Sequence, residues 1–85
     1  MDSVLLELLP KLRCPDQRTT LREASAAEVD AINQRIAAGT CVNVGGEVVS
    51  DKIDAALVRA AGDIAYPVRR EIPILIVEEG IPIAG

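Results

Sequence analysis

Tyr66-Pro67-Val68-Arg69-Arg70-Glu71-Ile72-Pro73-Ile74-Leu75 runs directly into Ile76-Val77 and, past Glu78-Glu79-Gly80, into Ile81-Pro82-Ile83. Two extended apolar segments, each carrying proline, flank a charged turn at Arg69-Arg70-Glu71. Ile72, Ile74 and Ile76 alternate with Pro73, Leu75 and Val77, so residues 72–77 read as a strand apolar on both faces. Such a strand normally lies between two covering layers. Proline cannot donate to a sheet ladder, which suits Pro73 and Pro82 to edges rather than to the centre of a sheet.

Upstream, the same reading gives Leu57-Val58-Arg59, a turn over 60–63 and Ile64 to Val68 as a hairpin. Cys41 to Val49 reads as a smaller hairpin around Gly45-Gly46, because glycine reaches positive φ without steric cost. Ser25-Ala26-Ala27-Glu28 has capping-box spacing and opens a helix. Val29, Ile32 and Ile36 share its inner face, and Gly39 stands where a left-handed cap is wanted. Thr19 to Glu23 alternates as a short strand with Leu21 inward. Near the start, Asp2 or Ser3 caps a helix with Leu5, Leu8 and Leu9 on one face, closed by Pro10. Lys11 to Cys14 follows as a brief strand entering a turn at Pro15-Asp16. The expected fold is therefore α+β: a small meander of short antiparallel strands, with an N-terminal helix and one inserted helix.

Eighty-five residues make one domain, 1–85, with a thin stability margin. Small domains often add a disulfide, a metal or a partner. Two cysteines, Cys14 and Cys41, and no histidine cannot supply an ordinary four-ligand zinc site. A Cys14–Cys41 disulfide is possible by number, but nothing points to secretion, and cytosolic disulfides are uncommon. Val4 to Leu9 is too short to span a bilayer, so the cytoplasm is expected and a membrane is not. Partnership remains.

Composition narrows the partner. A net charge of −4 has the wrong sign for a phosphate backbone, and Tyr66 is the sole aromatic, so direct nucleic-acid binding is not expected. Without histidine there is no Ser-His or Cys-His pair. Glu78 and Glu79 are adjacent on an extended chain and face opposite ways, which makes poor acid–base partners. Gly45-Gly46 lacks the following lysine of a phosphate loop. Cys14 is most simply a small apolar core residue. No enzyme and no cofactor is expected.

The leading Leu-rich segment, Leu12-x-Cys14-Pro15, and the terminal Tyr66-Pro67-Val68-Arg69-x-x-Ile72-Pro73-Ile74-Leu75 resemble the small zinc-ribbon-type methyltransferase activator family and its bacterial YcaR-like relatives. Residues 25–52 would be the helical insert between the two halves. The resemblance implies a zinc-ribbon-like fold and a non-catalytic subunit that stabilises or activates a SAM-dependent methyltransferase through its sheet edge and an apolar patch. The departures matter. Where zinc-binding relatives have Cys-Pro-x-Cys, this chain has Cys14-Pro15-Asp16-Gln17, and a second cysteine pair is missing, so zinc is not expected. The family's Asp-Gly turn is Arg70-Glu71 here, and a turn that needs positive φ would strain Glu71. Residues 72–83 hold more apolar surface than the Val29–Ile32–Ile36 helix covers; either the N-terminal helix with Leu5, Leu8 and Leu9 covers the second face, or Pro73, Ile74, Ile76 and Ile81 are the expected partner contacts. The alternative partner is a second copy of the chain, burying the same strand in a homodimer.

Overall fold

The computed structural model describes residues 7 and 9–83. Five strands form one antiparallel sheet: β1 (Leu21–Glu23), β2 (Ala55–Arg59), β3 (Ile64–Arg69), β4 (Ile72–Pro73) and β5 (Ile81–Pro82). The order is β1-β2-β3-β4, with β5 also paired to β3. One helix, α1 (Ala26–Ala38), crosses over between β1 and β2. This is the small α+β meander expected. The predicted N-terminal helix, with Leu5 and Leu8, lies outside the described residues; Leu9 opens a single 3-10 turn, Leu9–Lys11.

The helix begins and ends where the sequence places it. Ser25 accepts a hydrogen bond from the Glu28 amide at 3.2 Å, and the Glu28 carboxylate accepts one from the Ser25 amide at 2.9 Å. Gly39 closes the helix at φ 76, a left-handed position that glycine adopts without cost. The Glu28 carboxylate also accepts two bonds from Arg22 on β1, at 2.8 and 3.0 Å, fastening the helix start to the sheet edge.

The sheet is buried on both faces, and strand alternation divides the core in two. Ala56, Val58 and Ala65 face α1 and pack with Ile32, Ile36, Cys41, Ile53 and Ile81. Ala55, Leu57, Tyr66 and Val68 face the other way and pack with Leu21 and Cys14, with Leu9, Leu12 and Leu75 partly covering them. All five β2 residues are buried. The doubly covered strand is therefore β2, although the sequence assigned that role to 72–77.

The reason lies in Pro67. In an antiparallel strand a residue's N–H and C=O point to the same neighbour. The Pro67 carbonyl accepts from the Ile74 amide at 2.9 Å, so its missing N–H also faces the β4 side. Ile74 receives nothing in return, and the ladder stops at Val68↔Pro73. Beyond the Ile74 amide the chain leaves the ladder, makes a 3-10 turn at Val77–Glu79, and rejoins β3 as β5 opposite Ile64 and Ala65. The predicted strand 72–77 is thus two residues of ladder and an extended tail. The tight turn before it is made without glycine: Arg70 and Glu71 both take positive φ, 51 and 65. Asp54 accepts the Arg70 amide at 2.7 Å. No helix among the described residues is long and apolar enough to cross a membrane.

Replacing Ser25 by Ala should cost about 1 kcal/mol in chemical denaturation, since the Glu28 amide loses its acceptor. Arg22 and the Ser25 amide hold the Glu28 carboxyl down at about 2, against 4.5 for a free one. Its folded pKa is depressed, so its stabilising effect is complete above the unfolded value and is lost as pH falls from about 4.5 to about 2. Thermal melts across that window should drop less in Glu28→Gln than in the parent chain.

Candidate functional site

Two places on this fold combine unusual chemistry with position. The first is a buried polar knot at one end of the sheet face opposite α1. Cys14 closes a loop on itself: its amide donates to Thr19 O at 2.9 Å, and its carbonyl accepts from the Arg18 amide at 2.8 Å. Its sulfur lies 2.9 Å from the Tyr66 hydroxyl and accepts from the Gln17 amide at 3.5 Å. Arg59, at the end of β2, reaches the same corner and is only 8% exposed. Its guanidinium donates to Asp63 at 2.6 and 2.8 Å and to Asp16 at 3.0 Å.

Electrostatics follow from that geometry. Burial pushes the Cys14 thiol up, but the Gln17 amide, the Tyr66 hydroxyl, the Asp16 amide and Arg59 together bring it below its ordinary value. Burial and the bond to Cys14 raise the Tyr66 phenol well above its usual range. Arg59 holds the Asp63 carboxyl low, and Asp63 in turn keeps Arg59 firmly charged. The knot joins the two family-like motifs, Cys14-Pro15 and Tyr66-Pro67, through one hydrogen bond. With Cys14 only 1% exposed, its chemistry is structural.

Arg59 and Asp63 were not singled out in the sequence. Their signal is local: an arginine ending one strand, four residues before an aspartate that immediately precedes the next, across a turn. The cysteines do not meet. Both are free and buried, Cys14 on one sheet face and Cys41 on the other. Among the described residues, no group of three or more His, Cys, Asp or Glu stands where it could hold a metal ion.

The second place is the sheet edge. Of the predicted contacts, Ile76 is 53% exposed, and its neighbour on the same face, Ile72, is 61% exposed. Pro73 and Ile74 are half-buried. Ile81 is not a surface residue: it is 0% exposed, within the α1-side cluster. Return of the chain to β3 after Gly80 turns it inward. Gly80 itself sits so tightly that a Cβ there would meet Ile64 at 2.7 Å and Tyr66 at 3.3 Å. Three further exposed apolar residues, Val42, Val44 and Val48, lie on the Cys41–Val49 hairpin. That hairpin is tied to the tail by amides of Val44 and Gly45 donating to Gly80 and Glu78.

No family model and no curated protein matches this chain. Among solved structures, a solution NMR structure of a structural-genomics target from Xylella fastidiosa is similar, at 29% identity and a TM-score of 0.73. The alignment covers 96% of this chain and 81% of that one. The shared architecture is a helix packed on a curled antiparallel sheet.

Tyr66→Ala should cost about 3–5 kcal/mol, since it empties a large core site and takes the hydroxyl partner from the Cys14 sulfur. Cys14→Ser and Cys41→Ser should cost less, and denaturant midpoints will rank the three. Elemental analysis of the purified protein is expected to find no stoichiometric zinc.

Proposed function

We propose that this chain is a non-catalytic protein-interaction subunit that stabilises or activates a SAM-dependent methyltransferase, docking it along Ile72–Ile76. One observation carries the docking: two isoleucines more than half exposed, Ile72 and Ile76, on the outermost strand of the sheet and its unpaired extension. An edge offers backbone groups for strand addition, while the side chains supply fit. Pro73 and Ile74 complete the contact, and Ile81 supports it from the core.

The choice of enzyme rests on the resemblance of Cys14-Pro15 and of the Tyr66 to Leu75 string to methyltransferase activators. The corner knot gives these motifs a physical part to play. It fastens β3 to the N-terminal loop and so fixes the position of the strand on which the edge hangs. The chain has no histidine for acid–base chemistry, and the Cys14 thiol is sealed in the core. The reading puts the complex in the cytoplasm, where free buried thiols persist. It needs neither nucleic-acid nor membrane contact from this chain.

Affinity purification from the native host, with mass spectrometry, tests it. A SAM-dependent methyltransferase at near-equal stoichiometry is expected, lost when Ile76 is replaced by Lys while circular dichroism stays native. If no methyltransferase is present, or if Ile76→Lys retains it, the reading fails. Ile81→Asp should instead unfold the chain.

A further inference from the structure

The edge has a specific pattern of free backbone groups. Ile72 pairs with Arg69 across the two-residue turn, and the Ile74 amide points inward to Pro67. By alternation, Pro73 and Leu75 direct their backbone groups outward. Pro73 offers a carbonyl and no N–H. Leu75 offers both. Val77 opens the 3-10 turn, so its amide has no partner within it, whereas its carbonyl already accepts the Gly80 amide at 3.2 Å. Among the described residues, neither the Leu75 groups nor the Val77 amide make a hydrogen bond.

Read outward along the edge, the sequence is acceptor only, donor and acceptor, donor only. Turned antiparallel, that series is its own complement. We infer that a second copy of this chain pairs with the first along 73–77, antiparallel and two-fold, centred on Leu75. This rests on the reading of the same edge as the contact surface. The two Leu75 residues exchange both hydrogen bonds, and each Val77 amide donates to Pro73 of the other copy. The position where proline cannot donate meets the carbonyl already engaged by Gly80, so neither deficiency leaves a group orphaned. Side chains agree with the register. Ile76, 53% exposed alone, falls beside Ile74 of the other copy, twice over by symmetry.

Self-pairing and methyltransferase docking then exclude each other, and the dimer holds the edge closed until the enzyme displaces it. Sedimentation equilibrium of the full chain tests this. Wild type should show a reversible monomer–dimer equilibrium, with amide exchange at Leu75 and Val77 slowing as concentration rises. Val77→Pro removes the outward donor, at the expense of a half-buried valine side chain. Proline suits the first position of a helical turn, and Ile76 before it is already extended at φ −119, ψ 129. It should weaken the dimer at least about tenfold by removing two symmetric hydrogen bonds while leaving the monomer folded. Ile76→Lys should do the same through the side chains. A monomeric wild type at all concentrations, including one whose N-terminal residues cover the edge, would overturn the inference. So would a Val77→Pro chain that dimerises like wild type. If the dimer fails but a methyltransferase is still lost in Ile76→Lys, only the self-pairing is wrong. If the dimer forms and no methyltransferase binds, only the enzyme partner is wrong.

Discussion

One absent hydrogen in the middle of the sheet governs this structure. Pro67 sits fully buried in β3, where it pairs with Ala56 without needing a donor on that side. Towards β4 the donor is needed and missing. The last paired residue of β4, the unpaired tail, the 3-10 turn and the return as β5 all follow from that gap. Proline is usually excluded from central strands. Here the strand is paired to β2 on one side, and on the other its ladder is interrupted at Tyr66 and Pro67, with β5 and β4 sharing that flank on either side of the break.

The break also explains how so short a chain covers two faces of a sheet. A continuous fourth strand would have carried Ile81 away from the core. By releasing the chain at Ile74, the fold brings Leu75 back over Tyr66 and Val68 on one face and sends Ile81 under Val58 and Ala65 on the other. α1 and the loop up to Cys14 provide the remaining cover. The cost is an edge with apolar side chains in solvent, and that is the surface on which the proposed interactions depend.

Legibility followed range. The Ser25–Glu28 capping box, the Gly39 cap, the α1 stripe and the β2–β3 hairpin were readable because their causes lie within a few residues. The tail was misread because alternation in 72–77 reports a local tendency, whereas the ladder's length depends on Pro67 across the sheet. Ile81 looked like surface for the same reason: its burial is set by Gly80, whose bare Cα alone allows the approach to Ile64 and Tyr66. The corner knot was half legible. Cys14 and Tyr66 stood out as motif residues, but their contact spans 52 positions, and Arg59 gave no sign of being buried. Of the edge, Pro73, Ile74 and Ile76 were found from excess apolar surface; the exposed valines of the 41–49 hairpin were not.

The two thiols fall one to each side of the sheet, and this makes them separate witnesses. Cys41 is sealed by the helix and Cys14 by the N-terminal loop, so a thiol reagent reaches each only when its own cover lifts. The rate at which each sulfur is alkylated therefore clocks the opening of one layer independently of the other. A difference between the two rates would reveal a half-open state in which one face of the sheet is bare while the other stays packed.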